Sequence, residues 1–206
     1  MALVNIKAGV DNAGHVTKFS IRNVSPSILG QRRWIGPGQV DSQAVEGAVQ
    51  LPYSFGSRKT DWVAHPAAIP VGFWRSVSHS INAFAVECAI DELVAAAGAD
   101  PRNFRLSLLT GDTKTTAVLQ AAATLGSWGG VLPTGHARGV ALRQLFSTTV
   151  AQVVEISKPT ATSIKVHNVA RCHRLRPGHQ PGLSARPNAG RDRPRAWGHA
   201  IQPDLV

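Results

Sequence analysis

The feature that most constrains the fold of this chain is an apolar pattern with helical spacing between Ser80 and Ala97. The apolar residues that share one side of this predicted helix are Ala83, Phe84, Val86, Ala89, Ile90, Leu93, Val94 and Ala97. Ser80 is predicted to cap the helix and Gly98 to end it. The pair Asp100-Pro101 then predicts the start of a second helix that extends through Leu109. An apolar stripe this broad has to be buried, so the rest of the chain must supply a surface that covers it.

Strand patterns on the N-terminal side of these helices can supply such a surface. Residues 3–10 and 15–24 alternate between apolar and polar side chains, and residues 11–14 (DNAG) have the composition of a turn. Together they predict a β-hairpin. Residues 51–55 and 60–65 have the pattern of two further short strands joined by a turn.

The C-terminal half continues with one more helix and then strands. Residues 114–125 are rich in Ala and predict a third helix that stops at Gly126. Residues 139–146, 149–157 and 162–170 then have the pattern of three strands. The predicted class is therefore α+β, with an N-terminal hairpin, central helices and C-terminal strands.

The net charge of +10 would suit a nucleic-acid-binding protein, so its distribution along the chain matters. Residues 1–170 hold six Lys, nine Arg and ten acidic residues, whereas residues 171–206 hold seven Arg and two acidic residues. Half of the net charge therefore lies in about a sixth of the chain. The segment 171–206 has no helical or strand periodicity and predicts an irregular, disordered Arg/Pro-rich tail. A small basic nucleic-acid-binding protein that uses this tail is the alternative function, although Trp197 is its one aromatic residue for stacking on bases.

The sequence also argues against several other classes. It has no apolar run long enough to cross a membrane, and its N-terminus lacks the pattern of a signal peptide. The compartment, cytoplasmic or periplasmic, is left open. Cys88 and Cys172 are the two cysteines, which argues against a disulfide framework and against a cysteine metal site. The glycine-rich runs GSWGG and LPTGHARG lack the Lys-Ser/Thr pair of a phosphate-binding loop.

Arg75 is the residue with the clearest functional alternative, because it follows Phe73 and Trp74 directly and precedes the long predicted helix. Its guanidinium can stack on one of these aromatic rings at the surface. It can instead bind an anion at the head of the helix, where free backbone N–H groups favour negative charge. The residues alone leave both interpretations open.

The remaining reactive side chains have structural interpretations. His65 and His79 lack neighbours at the spacing of metal ligands and are expected to be loop histidines. Glu87 and Asp91 are four residues apart on the predicted helix and are expected to lie on a solvated face. Cys88 lies beside the apolar stripe and is expected to be a buried thiol. No direct metal ligand is predicted.

Four phrases occur in an order that resembles a known family. They are VEGAVQLPY, IPVGFWRSVSHSINAFAVECAIDELVAAAGADPRNFRLSLL, GSWGGVLPTGHARGVAL and FSTTVAQVVEIS. Together they resemble the large, molybdenum-binding subunit of isoquinoline 1-oxidoreductase, a member of the xanthine dehydrogenase/aldehyde oxidase superfamily. The resemblance covers residues 6–170, and residues 70–109 are its most specific part. It implies part of the molybdopterin-binding region of such an enzyme.

The resemblance implies an oxidoreductase that hydroxylates N-heterocyclic aromatics or aldehydes with water-derived oxygen. Such enzymes hold molybdenum in an anionic pyranopterin cofactor, use a glutamate as general base, and pass electrons to a separate iron–sulfur subunit. Arg75 matches the family arginine that lies against the molybdenum centre, so it is implied to bind the cofactor and to stabilise developing negative charge. Val77 matches a position that lines the substrate pocket, and Ser78 stands where relatives usually have Gly. The implied partners are a small-molecule substrate and the iron–sulfur subunit, with no nucleic acid.

The tail departs from the family pattern, which has a strand of the form VxxxDCGxxxNPxxVxAQxxGG at this place. Codons permitted for His173–Arg176, read one nucleotide later, give Ile-Asp-Cys-Gly. Continued through Arg195, the shifted frame can yield IDCGPAINPDSVRAQMQGGIVLG, which is close to the family segment. Residues from about Cys172 onward are therefore expected to be an out-of-frame translation product.

The family's cofactor loops and its catalytic glutamate have no counterpart in this sequence. The chain is therefore expected to be an internal fragment that is inactive on its own and poorly soluble. A third hypothesis is an interaction module that uses the exposed strand edges of an incomplete sheet.

Overall fold

The computed structural model describes residues 2–174 and 199–201, and the chain forms two compact units, 1–110 and 111–206. The predicted region 1–170 comprises the first unit and most of the second. Helices and strands are both present in the predicted order, which confirms the α+β class. Within the described ranges, no helix combines the length and apolar composition that crossing a membrane requires.

The first unit begins with the predicted hairpin, which is confirmed. Strands β1 (Leu3–Val10) and β2 (Val16–Ser25) pair antiparallel. The carboxylate of Asp11 fixes the turn between them, because its Oδ1 atom accepts the backbone N–H groups of Ala13 and His15, both at 2.9 Å.

A third strand, β3 (Arg58–Ala64), pairs parallel to β2, so the sheet has the order β1-β2-β3. The strand predicted at residues 51–55 is wrong, because this segment is irregular. Its aromatic residues serve the core instead: the Phe55 ring stacks on the fully buried Phe19 at 4.4 Å, and Tyr53 is buried. Aromatic residues suit both a strand and a core-anchored loop, so the residue types alone did not separate the two.

Four helices complete the first unit: α1 (Ile28–Gln31), α2 (Ser42–Val45), α3 (His79–Ala97) and α4 (Pro101–Leu108). The predicted C-terminus of α3 is confirmed, because Gly98 follows the helix in the left-handed conformation. The predicted start of α4 is confirmed as well, because the Asp100 side chain accepts the N–H of Asn103. The N-terminal prediction for α3 is wrong. Ser80 lies inside the first turn, and its hydroxyl donates to the carbonyl of Val77 rather than capping the helix.

The face that α3 buries differs from the predicted stripe. Val86, Ile90, Leu93 and Val94 are buried as predicted, but the Phe84 side chain is 74% exposed. Cys88, predicted to be buried, is also exposed. The strand that lies against α3 is β1, an edge strand, so the side of the helix beyond that edge is open.

A buried ion cluster joins α3 to α4. Arg105 is fully buried, and its Nε atom donates to Glu87 Oε2 at 3.0 Å. Its Nη2 atom lies 2.8 Å from Asp91 Oδ1, and the Tyr53 hydroxyl donates to Glu87 Oε1 at 2.9 Å. The solvated face predicted for Glu87 is therefore wrong, since this carboxylate faces a buried guanidinium. Asp91 is half exposed and extends the cluster to the surface.

The second unit packs one helix on an antiparallel sheet. Helix α5 (Thr113–Leu125) is followed by β4 (His136–Leu145), β5 (Thr148–Thr160), β6 (Ser163–Arg174) and β7 (His199–Ile201), which lie in the order β4-β5-β6-β7. The third helix and the three strands predicted here are confirmed. The buried apolar side chains of the sheet include Val140, Leu142, Ala151, Val153 and Ala170.

Strand β6 extends beyond Ala170, where the sequence predicted the irregular tail to begin. Its last residues, 171–174, continue the pairing with β5, and residues 199–201 pair with β6. The prediction of an irregular tail is therefore wrong for these residues. The rest of the tail, with the expected shift of reading frame, lies outside the described residues.

Candidate functional site

The candidate site is a cavity of 410 Å³ in the first unit, next to the N-terminus of α3. Its walls come from the end of β2 and from the short helices α1 and α2. The rest of the wall comes from Ala2 and from the segment 71–82, which includes Trp74 and Val77. A cavity of this size is within the range of small-molecule sites.

Gln31, at the end of α1, holds the loop that leads into the site. Its Oε1 atom accepts the backbone N–H of Val71 at 2.8 Å, and its Nε2 atom donates to the carbonyl of Ile69 at 3.4 Å. This pair of contacts fixes the loop to the helix across a separation of about forty residues in sequence.

Asp41 is the carboxylate in the cavity wall, and it is fully buried. Its Oδ2 atom accepts from the Ser27 hydroxyl at 2.8 Å and from the N–H of Leu29 at 3.0 Å. Its Oδ1 atom accepts the N–H groups of Gln43 and Ala44 at 2.9 and 3.3 Å. Four donors occupy this carboxylate, so its role is to join the first turns of α1 and α2.

A layer of buried polar side chains connects the cavity wall to α3. Asn23 Nδ2 donates to Asn82 Oδ1 at 3.0 Å, and Asn82 Nδ2 donates to the carbonyl of Glu46 at 2.7 Å. Burial raises the pKa of the Glu46 carboxyl, and His79 Nε2 lies 4.0 Å from Glu46 Oε2. The sequence analysis did not predict this layer. The one signal for it in the sequence is the polar residue Asn82 inside an apolar helix.

The histidine predictions have mixed outcomes. His79, predicted to be a loop histidine, is the first residue of α3 and is buried. His65 is exposed and follows the end of β3, as predicted. In residues 2–174 and 199–201, no three His, Cys, Asp or Glu side chains come together as a metal-ligand set.

The turn that leads into α3 is strained. Ser76 and Val77 both have positive φ values, of 70° and 49°. This region is uncommon for a residue with a β-branched side chain such as Val77, and occupying it costs of order 1–3 kcal/mol. Backbone hydrogen bonds from Val77 N to the carbonyl of Trp74 (2.9 Å) and from His79 N to that of Ser76 (3.0 Å) hold the turn. Ser78 has φ of −75°, so this position does not require the glycine that relatives usually have.

Of the two site residues that the resemblance implies, one lies in the cavity wall and the other lies outside it. Val77 lines the cavity. Arg75 is exposed and lies outside the cavity lining, next to Trp74, which belongs to it. A different guanidinium lies over the aromatic rings: Arg32 Cζ is 5.4 Å from the centroid of Trp34 and 5.7 Å from that of Phe73.

No protein-family model matches the chain, and no curated protein matches it. Among solved structures, the chain is similar to an aldehyde oxidoreductase from Desulfovibrio gigas (MOP), activated with sodium dithionite and sodium sulfide. The two are 18% identical with a TM-score of 0.47, and the match covers 81% of this chain. The chain spans 20% of the length of that protein.

Proposed function

We propose that this chain is part of a molybdenum hydroxylase, of the type of the large subunit of isoquinoline 1-oxidoreductase. The support is the set of sequence phrases that resemble that family, together with the way the chain folds around them. The phrases at residues 45–53 and 69–109 are joined by two side-chain hydrogen bonds, from Tyr53 to Glu87 and from Asn82 to Glu46. These two of the four phrases thus pack together within the first unit.

The observation that carries the proposal is the strained turn at residues 74–77. It brings Val77 to the wall of a small-molecule-sized cavity and presents Arg75 beside it. Strained backbone of this kind persists where the surrounding structure enforces it, and such positions cluster at ligand sites. In this proposal Val77 contacts the substrate, and Arg75 faces an anionic cofactor and the negative charge that develops during the reaction.

The positive charge of Arg75 suits an anionic pyranopterin cofactor. Arg75 is an exposed cation that directly follows Trp74, a residue of the cavity wall. When bound, the cofactor would supply the redox centre for hydroxylating an electron-poor carbon of an N-heterocycle or aldehyde with water-derived oxygen. The residues of this chain would bind and orient the substrate and neutralise charge.

We expect the isolated chain to be inactive, because the carboxylate in its cavity wall is held by structural hydrogen bonds. The Asp41 carboxylate accepts four hydrogen bonds, and Glu46 lies outside the cavity lining. In this proposal the general base and further cofactor loops come from other parts of the enzyme. An iron–sulfur subunit then accepts the electrons.

The test begins by sequencing the DNA that flanks this coding region and translating it in all reading frames. The longest resulting polypeptide is expressed together with an iron–sulfur subunit gene where the flanking DNA encodes one. Molybdenum is measured by mass spectrometry, and hydroxylation of isoquinoline is followed in ¹⁸O-labelled water. We expect ¹⁸O in the product and a loss of about 100-fold in kcat for Arg75→Gln. The matched control is Arg58→Gln, an exposed arginine on β3 of the same unit, which should leave kcat unchanged. An assembly without molybdenum, or stoichiometric molybdenum in the isolated 206-residue chain, would contradict the proposal.

A further inference from the structure

Arg32, Trp34 and Phe73 form an exposed group in mutual contact, and Trp74 and Arg75 follow Phe73 directly in the chain. We define these five residues as the aromatic–arginine surface. The three rings are 63%, 47% and 77% exposed, in the order Trp34, Phe73 and Trp74. Large aromatic residues seldom lie together in water without a partner that covers them. Trp74 also lines the cavity, so the surface extends to its edge.

Two rings and one guanidinium of this surface are in contact with one another. The Trp34 and Phe73 centroids are 6.3 Å apart with an interplanar angle of 32°, and the Arg32 guanidinium lies within 6 Å of both rings. The two hydrogen bonds of Gln31 hold the loop before Phe73 against α1. The aromatic–arginine surface is therefore built from two distant segments that are fixed to each other.

The arginines of this surface have no acidic residue near them in sequence. Residues 28–40 and 66–86 contain no Asp or Glu. In the described part of the chain, none of Arg32, Arg33 and Arg75 forms an ion pair with an acidic side chain. By contrast, the guanidiniums of Arg22, Arg105 and Arg138 each pair with a carboxylate. The N–H donors at the surface are thus available to an anion from outside.

We propose that the aromatic–arginine surface binds a planar aromatic ligand that carries a carboxylate or a phosphate. The ring of such a ligand stacks on the exposed indoles, and its anionic group accepts hydrogen bonds from a guanidinium that stays in contact with Trp34 and Phe73. A neutral ring would leave the guanidiniums without an acceptor, and a non-aromatic anion would leave the indoles exposed. This inference rests on the surface and not on the proposed hydroxylase activity, so it can fail while that proposal stands.

The test is isothermal titration calorimetry of the full 206-residue chain with four compounds. The aromatic anions are 1-naphthoate, which carries a carboxylate, and guanosine 5′-monophosphate, which carries a phosphate. The controls are guanosine, a ring without the charge, and cyclohexanecarboxylate, a charge without the ring. We expect one or both aromatic anions to bind at least about tenfold more tightly than either control, since hydrogen bonds to charged groups and stacking both contribute. The anion that binds identifies the group that the surface recognises.

Variants assign the binding to this surface. Arg32→Gln and Trp34→Leu should each weaken the binding about tenfold. The control Arg58→Gln removes an exposed guanidinium elsewhere in the same unit and should leave it unchanged. Far-ultraviolet circular dichroism verifies that all three variants fold. Binding of both aromatic anions no tighter than that of the two controls, or equal losses in Arg32→Gln and Arg58→Gln, would each overturn the proposal.

Discussion

Substitution of Arg105 by Met should strongly destabilise the first unit. Arg105 has no solvent exposure and contacts the side chains of Glu87 and Asp91, and it also donates to the carbonyls of Pro101 and Glu87 at 3.3 Å each. Burial alone would lower the pKa of this guanidinium, but the adjacent Glu87 carboxylate raises it. Removing the cation takes the ion pair away from a buried carboxylate, to which the Tyr53 hydroxyl still donates. Breaking a buried pair in this way costs about 3–5 kcal/mol.

Urea unfolding of the 206-residue chain measures this loss. With a slope of about 2 kcal/mol/M, a loss of about 4 kcal/mol lowers the midpoint by about 2 M. The matched control is Arg102→Met on the same helix, where the guanidinium contacts the neighbouring Asn103 and a change of less than about 1 kcal/mol is expected. The double substitution of Arg105 and Glu87 by Met should recover part of the loss, because the carboxylate that remains, that of Asp91, is half exposed to water. If Arg105→Met and Arg102→Met shift the midpoint equally, the cluster does not hold the two helices together.

Three further expectations concern close packing, backbone strain and pH. Gly126→Ala should destabilise the second unit by about 1–3 kcal/mol in thermal unfolding, because a Cβ there would lie 2.6 Å from the Val153 side chain. The control Gly139→Ala has open space around the added methyl group, and equal losses in the two variants would contradict the reasoning. Val77→Gly should be about 1 kcal/mol more stable in urea than Val77→Ala, since glycine adopts a φ of 49° without strain, and the reverse order would refute the strain. Burial lowers the pKa of His167 below its usual 6.5, so the unfolded chain binds its proton first and stability should fall as pH drops through and below 6.5. His167→Gln should reduce this dependence of the melting temperature between pH 7.5 and 5.5, and an unchanged slope would exclude His167 as its source.

Local signals in the sequence predicted most element boundaries, because their causes lie within a few residues. The turn at Asp11, the left-handed Gly98 and the Asp100-Pro101 helix start each depend on adjacent backbone groups. Apart from the cap predicted at Ser80, whose hydroxyl bonds locally to the carbonyl of Val77, the failures occur where a distant contact decides. Residues 51–55 have strand-forming side chains, but Phe55 stacks on Phe19 and Tyr53 bonds to α3, so the segment packs as a loop.

The candidate site shows the same division. Arg75 and Val77 are recognisable in the sequence because their neighbours form a specific phrase, and that phrase also shows that a helix follows. The sequence did not show that Arg32, rather than Arg75, lies over Phe73, because this contact joins segments about forty residues apart. The occupation of Asp41 by four hydrogen-bond donors likewise depends on how α1 and α2 approach each other.

The sequence by itself determined the α+β class, the hairpin, the extents of the three longer helices α3, α4 and α5 to within a residue or two, and the phrases on which the resemblance rests. These features follow from periodicity, turn chemistry and capping, which act over a few residues. Tertiary structure alone decided which polar side chains are buried together and which aromatic rings stay in water. Arg105 meets Glu87 across 18 residues and Tyr53 meets it across 34, and no local pattern encodes such pairs. Their burial depends on the packing of α3 between segments that come together only when the chain folds.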